Sequence, residues 1–281
     1  MALCRPRCCS NTAGSETLRQ RRGARPQRPP ATDGSTNWHS WWQEAQNAEA
    51  VTALVAMPWA SIHAVDASTQ RTALHRAVKR HDAESVSLLL RLGLDVEAVD
   101  THRQTPLLLL LSRSEPCLSC LTLLLDAGAN LGVQDDRSSS LIYCARRGSL
   151  AALQILLSRP EAASLLEQQD QEGKSALFWA STEGQLACVD ALLQAGANVE
   201  APSVMGVTPL RAAVSRGGPD RMAVVTRLLD AGARVDGLGR RHTSFGAPSS
   251  RAQRNLIDVA RSVHGDDALA ILLEKHAART L

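Results

Sequence analysis

A short phrase recurs through the middle of the chain at a nearly constant interval, and this recurrence restricts the possible folds more than any other feature. Each copy opens with Thr or Ser, and a Leu follows two residues later. The copies begin at Thr72, Thr105, Ser139, Ser175 and Thr208, at intervals of 33, 34, 36 and 33 residues. A unit of this length cannot bury its own apolar face, so it becomes stable only when stacked on its neighbours. The sequence therefore predicts a stack of repeats rather than one globular core.

Each copy of the phrase begins a short helical stretch, and a second helical stretch follows within the same repeat. The second stretch ends in a pair of leucines. These pairs are Leu89-Leu90, Leu124-Leu125, Leu156-Leu157, Leu192-Leu193 and Leu228-Leu229. Gly128, Gly196 and Gly232 each come three residues after a pair, where a helix end favours a residue with a left-handed backbone. The pattern therefore predicts two helices and a turn in each repeat.

The most complete copy of the phrase reads Thr208-Pro209-Leu210-Arg211-Ala212-Ala213. With a period near 33 residues, it resembles the ankyrin repeat, a turn followed by two antiparallel helices. The resemblance covers residues 38–281 and is most specific over 66–239. It implies an all-α ankyrin-repeat solenoid of stacked helix-turn-helix units with divergent terminal caps. The implied full repeats are 66–99, 100–134, 135–169, 170–202 and 203–239.

Residues 1–36 have a different composition from the rest of the chain. They carry seven Arg against Glu16 and Asp33, a net charge of +5, and almost no large apolar residue. Such a segment cannot bury enough surface to offset the entropy of ordering it, so we expect a disordered Arg/Pro-rich tail. Besides a plain solvated tail, two interpretations stay open. They are an organelle transit peptide and palmitoylation at Cys8-Cys9.

Both ends of the repeat array are predicted to be capped. Residues 37–65 resemble a degenerate first repeat, in which Trp38, Trp41 and Trp42 share one helical face. These tryptophans either cover the next repeat or form an exposed hot spot for a partner. Residues 240–281 contain a loop rich in Gly, Pro, Ser and Arg and then a last helix pair, which we interpret as the C-terminal cap.

The repeat at 135–169 departs most from the common pattern. It lacks the glycine at its second helix end, and it carries Arg159-Pro160-Glu161 together with three extra residues. We therefore expect a bend or a soft spot in the stack at this repeat.

Seven cysteines invite a metal or disulfide interpretation, but their positions favour another one. Cys117 and Cys120 form the only tight pair in the repeats, and tetrahedral zinc needs two further ligands nearby. Cys120 and Cys188 instead fall four residues before a leucine pair, an inward position that suits a small apolar residue. The sequence shows no arrangement typical of a catalytic triad or of a phosphate-binding loop. We therefore expect no enzyme activity, no cofactor and no metal, and free thiols in a reducing compartment.

In the ankyrin architecture, the end of each first helix and the turn tips line a concave surface. Four of the five repeats place a basic residue at these helix ends, although the chain after residue 36 has a net charge of −2. Helix ends also favour Lys and Arg through the helix dipole, so a merely solvated row stays an alternative. The predicted partner-binding residues at the helix ends are Lys79, Arg80, Arg113, Arg146, Arg147 and Arg216.

The turn tips supply a second predicted contact set. Its members are His102, Gln104, Glu172, Lys174 and Met205. Met205 belongs to an apolar trio with Val204 and Val207 at a position expected to be exposed. Packing against the next turn and a docking patch for a partner are both open explanations of this trio.

These features predict a non-catalytic protein–protein interaction module, such as a scaffold, adaptor or inhibitor. It is expected to bind an acidic or phosphorylated protein or peptide on its concave surface. Two alternatives stay open: attachment of the Arg-rich tail to nucleic acid or an anionic membrane, and a role as the regulatory subunit of an enzyme. The folded body is not basic, which disfavours nucleic acid as its partner, and no apolar run approaches the roughly 20 residues of a membrane span. We expect a cytoplasmic monomer, with the nucleus or an organelle as alternative locations.

Overall fold

The computed structural model describes residues 52, 63, 65–135, 138–216, 220–235, 256–264 and 267–279. Within these residues the regular structure is helical, and β pairing is limited to two isolated bridges, Gln134 with Ser139 and Gln169 with Ser175. The prediction of an all-α fold is thereby confirmed. In chain order the helices are α1 (Ala73–Arg80), α2 (Ala83–Arg91), α3 (Pro106–Leu111), α4 (Leu118–Asp126), α5 (Ser140–Arg147), α6 (Leu150–Leu157), α7 (Ala162–Leu165), α8 (Ala176–Glu183), α9 (Leu186–Gln194), α10 (Pro209–Arg216), α11 (Arg221–Asp230), α12 (Leu256–His264) and α13 (Asp267–Arg279).

The recurring phrase starts a first helix because its Thr or Ser is the helix N-cap residue, although Ser139 before α5 makes no side-chain capping hydrogen bond. The hydroxyls of Thr72, Thr105 and Ser175 each accept a hydrogen bond from the backbone N–H three residues later. In α1, the Nδ1 atom of His75 accepts a hydrogen bond from the backbone N–H of Thr72, which completes a capping box. Pro106 opens α3 at a position where no intrahelical N–H is needed. The phrase is therefore a start signal with a physical basis.

The helices form two layers. The first helices α1, α3, α5, α8 and α10 pack one against the next, and the second helices α2, α4, α6, α9 and α11 do the same. The last pair, α12 and α13, packs on α10 and α11. The leucine pairs place their first members Leu89, Leu124 and Leu156 in the core between the layers, each almost fully buried. The stacking of repeats thus provides the burial that one repeat lacks.

An aspartate at the start of each of four turns organises the connection between repeats. The carboxylates of Asp66, Asp100, Asp135 and Asp170 accept backbone N–H groups of their own turns. Successive turns are joined by backbone hydrogen bonds from Thr101 to Thr69 and from Val204 to Glu172. The turns therefore form a hydrogen-bonded edge where the first turn meets the second and where the fourth meets the fifth.

A second ladder joins the opposite ends of the repeats. Glutamates near the ends of three repeats accept a hydrogen bond from a backbone N–H of the following repeat, each at 2.8 Å. These pairs are Glu97 with Asn130, Glu167 with Asn198 and Glu200 with Arg234. Because the acceptor is charged, each bond is stronger than one between neutral groups.

The irregular repeat at 135–169 accommodates its extra residues as the one-turn helix α7. Ala162 and Leu166 bury their side chains there, so the insertion adds to the core. Arg159, in the same segment, forms an ion pair of 2.7 Å with Asp126 of the preceding repeat. The expected soft spot is thus a packed segment with its own core contacts.

Several sequence predictions fall outside the described residues. These are the Arg-rich tail, the three tryptophans of the proposed N-terminal cap, and the loop at 240–253. The division into a tail, caps and five repeats at the stated boundaries stays a prediction. In the part of the chain that the structure describes, no helix is both long and apolar enough to cross a membrane.

Candidate protein-binding surface

The basic residues predicted for the helix ends lie where the repeat pattern places them. Lys79 and Arg80 end α1, Arg146 and Arg147 end α5, and Arg216 ends α10. Arg113 follows the shorter α3 by two residues. All six side chains are exposed. We call these six residues the basic row. In α8 the matching residue is Glu183, which is half-buried, so the row is interrupted in the fourth full repeat.

An open cleft of about 540 Å³ crosses the ends of three successive first helices. It is lined by His81, Ser112, Arg113, Ser114, Glu115 and Arg147. Neither Arg113 nor Arg147 forms an ion pair with any residue that the structure describes. Two guanidinium groups from successive repeats therefore border one cleft with their hydrogen-bond donors available to a ligand.

His81 is the residue of this cleft that sequence reasoning missed. It follows α1 with φ 61°, a left-handed backbone, at the position that Gly148 and Gly184 occupy after α5 and α8. Its Nε2 atom is buried and has no hydrogen-bond partner among the described residues. Burial lowers the pKa of His81, Arg113 lowers it further, and Glu115 opposes both effects. The usable signal was a histidine in a column of the repeat alignment that holds glycine in three of the five repeats.

Arg146 differs from its neighbours in the basic row because an aromatic ring holds it. Its guanidinium lies 4.4 Å from the centre of the Trp179 ring, and the Lys174 ammonium lies 4.6 Å from the same ring centre. The indole Nε1 of Trp179 donates to Asp170 at 2.7 Å, which fixes the ring. Arg146 is therefore partly committed to a cation–π contact within the protein.

The turn tips divide into exposed and internally bonded residues. His102, Glu172 and Met205 are exposed, and Met205 retains 63% of its accessible surface. Lys174 is half-buried and pairs with Glu172. These four positions stay predictions as partner contacts.

Gln104 is a correction to the predicted contact set. Its residue exposure is only 8%, and its side-chain amide donates to Asp135 at 2.7 Å and to the Tyr143 hydroxyl at 3.4 Å. Arg71 holds the same position one repeat earlier, and its guanidinium donates a hydrogen bond of 3.0 Å to the Asp100 carboxylate. In these two repeats the residue before the phrase thus joins its turn to the next one, so the side chain of Gln104 is buried and hydrogen-bonded within the protein.

The cysteines of the described repeats are core residues. Cys120, Cys144 and Cys188 are buried, and Cys117 is half-buried. Burial raises the pKa of the Cys120 thiol to about 12 and that of Cys188 to about 11. Both thiols therefore stay protonated at neutral pH, whereas a metal ligand or nucleophile needs the thiolate. Within the described ranges, no three His, Cys, Asp or Glu side chains come together as a metal site.

Comparison with known proteins decides the family. A family model described as ankyrin repeats (3 copies) matches residues 41–135 and 141–238. The chain belongs to the ankyrin repeat family. It is 31% identical over 197 residues to the mouse B-cell lymphoma 3 protein homolog, a match that covers 68% of this chain and 42% of that protein. It is also 31% identical over 118 residues to the Arabidopsis thaliana E3 ubiquitin-protein ligase KEG, covering 40% of this chain and 7% of that protein.

Solved ankyrin structures show the same fold. The ankyrin repeat domain of Bcl-3 superposes with a TM-score of 0.66 at 28% identity, covering 87% of this chain and 100% of that one. The human ASB11 ankyrin repeat domain gives a TM-score of 0.66 at 22% identity, covering 85% and 98%. The chain spans less than half the length of the two curated relatives described above. Ankyrin repeats are protein-interaction modules that generally lack catalysis. The repeats of this chain are therefore a protein-interaction module.

Proposed function

We propose that this protein binds an acidic segment of a partner protein across the basic row, as a scaffold, adaptor or inhibitor without catalysis of its own. The observation that carries the proposal is the pair Arg113 and Arg147. Both are exposed, both border one open cleft, and neither has an ion-pair partner in the described part of the chain. Such guanidinium groups offer paired donors that fit carboxylate oxygens.

The repeat geometry extends this pair into a longer surface. Lys79 lies at the helix end before Arg113, and Arg146 lies beside Arg147. Because the matching positions of neighbouring repeats follow one another along the stack, an extended peptide is the ligand that would contact several of them at once. The helix dipole alone explains a preference for basic residues, but not a cleft that joins three of the helix ends.

The members of the basic row are not equivalent as targets for mutation. Replacing Arg146 removes the contact with Trp179 and therefore costs some stability, about 0.5–1 kcal/mol for a cation–π contact at an exposed site. Arg113 and Arg147 have no such contact among the described residues. Variants at these two positions therefore separate binding from folding more cleanly.

A peptide selection tests the proposal directly. A random peptide library displayed on phage is selected against the full chain, against Arg113→Glu/Arg147→Glu, and against Arg91→Glu. Arg91 is a matched control because it is exposed at the end of α2, outside the basic row. We expect the wild-type protein to enrich peptides rich in Asp and Glu, and the double variant to lose this enrichment. Equal unfolding midpoints in urea confirm that the variants are folded. Enrichment without an acidic bias, or an unchanged selection in the double variant, contradicts the proposal.

The Arg-rich tail supports a second candidate function. Residues 1–36 carry a net charge of +5, which favours attachment to nucleic acid or to an anionic membrane. In that case binding falls steeply with salt and disappears when residues 1–36 are deleted, whereas binding on the basic row survives the deletion.

We place the protein in the cytoplasm, because the four cysteines of the described repeats are free thiols.

A further inference from the structure

The cleft at the ends of α1, α3 and α5 brings together three groups that suit one kind of ligand. We propose that it binds the phosphoryl group of a phosphorylated Ser or Thr side chain, held by Arg113, Arg147 and the Nε2 atom of His81. This inference rests on the proposed function, because the phosphoryl group belongs to the peptide that lies along the basic row. It adds a specific ligand chemistry to one position of that surface.

The backbone at His81 is the first argument. The residue that ends α1 must adopt a left-handed conformation, which glycine adopts without strain and other residues disfavour. Gly148 and Gly184 fill this position after α5 and α8, both with φ 72°, whereas His81 accepts φ 61°. What histidine adds over glycine is its imidazole. Strain of this kind at a surface cleft indicates that the side chain serves a purpose there.

The Nε2 atom of His81 is the second argument. It is buried, and within the described residues it has no hydrogen-bond partner. Buried polar atoms without a partner are rare in folded proteins because each costs free energy. His81 lines the cleft, so a rotation of its imidazole toward the cleft would expose this nitrogen to an anionic oxygen, which would accept its hydrogen bond and remove that cost.

The charge balance of the cleft favours a phosphoryl group over a carboxylate. With His81 neutral, the charges of Arg113, Arg147 and Glu115 sum to +1. A phosphomonoester carries a charge of about −1.5 to −2 at neutral pH, so its binding also favours protonation of His81. A carboxylate is neutralised without that proton. The three oxygens of a phosphoryl group also match donors that approach from three successive repeats, while a carboxylate offers two oxygens in one plane.

A titration with small capped amino acids tests the inference on the full chain. The probes are capped phosphoserine, capped glutamate and inorganic phosphate at one ionic strength, and the readout is the NMR signal of the His81 imidazole nitrogens. Loss of this signal in His81→Gly identifies it. We expect capped phosphoserine to bind at least about tenfold more tightly than capped glutamate and to raise the measured pKa of His81. Inorganic phosphate should bind more weakly than capped phosphoserine.

Three variants complete the design. His81→Gly restores the residue that other repeats use, so it should fold at least as stably as wild type while its affinity for capped phosphoserine falls about tenfold. Arg147→Gln should lose a similar factor. Arg216→Gln changes the same position of a repeat that has no such histidine, and its affinity should stay unchanged.

The outcomes separate this inference from the proposed function. Wild-type affinity in His81→Gly, or an equal loss in Arg216→Gln and Arg147→Gln, overturns the phosphoryl site. Equal affinity for inorganic phosphate and capped phosphoserine overturns the assignment to a peptide. If the site fails while the wild-type protein still selects acidic peptides, the proposed function stands without it. If the acidic selection fails as well, both are wrong.

Discussion

The contact between the turns of neighbouring repeats is tested most sharply by alanine at Gly173. This glycine has φ 72°, and a β-carbon added to it would lie 2.6 Å from the backbone nitrogen of Val204 and 2.9 Å from Cγ2 of Val204. Backbone atoms cannot move away as a flexible side chain can, so the two turns must separate. Their separation breaks the hydrogen bond of 2.9 Å from the Val204 N–H to the Glu172 carbonyl.

Gly196 provides a matched control for this substitution. It also has a left-handed backbone, at φ 91°, but a β-carbon there meets no atom within 4 Å. Gly196→Ala should therefore cost about 1 kcal/mol, the strain of a left-handed alanine. Gly173→Ala adds the clash and the lost hydrogen bond, for a total of about 2–4 kcal/mol.

Urea unfolding followed by circular dichroism measures the difference. Both variants and the wild type are compared at one temperature, and the change in the free energy of unfolding is taken from the midpoints when the m-values agree. An equal cost for the two substitutions would show that the turns are not in contact as described. That result would contradict the hydrogen bond between the Val204 N–H and the Glu172 carbonyl.

Three further substitutions and one pH series test other parts of the structure. Leu156→Ala, at a fully buried leucine of the core, should lower the free energy of unfolding by about 2–5 kcal/mol, and wild-type stability in urea would contradict the repeat register. Met205→Asp should change stability by less than about 0.5 kcal/mol, because the side chain is exposed, and a larger loss would show that it packs in a core. Burial lowers the pKa of His75 below 6.5, so its contribution to stability is complete above pH 6.5 and is lost as the pH falls below that value. His75→Gln should therefore flatten the acid side of a plot of unfolding free energy against pH, and an unchanged slope would contradict the neutral state of the buried imidazole.

The neutral state of His75 has a geometric basis. Its Nε2 lies 3.0 Å from the Gln104 carbonyl oxygen, which only accepts, and its Nδ1 lies 3.3 Å from the Thr72 backbone N–H, which only donates. These partners fix a proton on Nε2 and leave Nδ1 as an acceptor. A second proton on Nδ1 would face the Thr72 N–H and break the capping box.

The fold was predictable because the repeat imposes it on every level of the structure. The Thr or Ser of the phrase is the N-cap residue of α1, α3, α5 and α8, and the first leucine of each pair is buried. Gly128, Gly196 and Gly232 have left-handed backbones. Each of these local signals recurs with the same period, so they support one another. The extra helix α7 was not predicted, because three extra residues and a proline specify a departure from the repeat but not its shape.

The candidate surface was predictable in position but not in its contacts. A residue's place in the repeat indicated that Lys79, Arg113 and Arg147 are exposed. It did not indicate that Gln104 turns inward to Asp135, because that bond joins residues 31 positions apart. The same limit applies to Arg146 and Trp179, whose contact depends on how two repeats are stacked.

Quantitative affinity purification with mass spectrometry tests the central claim, that the basic row binds acidic proteins. The samples are the full chain, residues 37–281, Arg113→Glu/Arg147→Glu, and the control Arg91→Glu, all with matched unfolding midpoints. We predict one set of proteins with acidic or phosphorylated segments that the full chain, residues 37–281 and Arg91→Glu retain and the double variant loses. Retention of the same proteins by the double variant, or their loss only when residues 1–36 are removed, would contradict the claim and move the function away from the basic row.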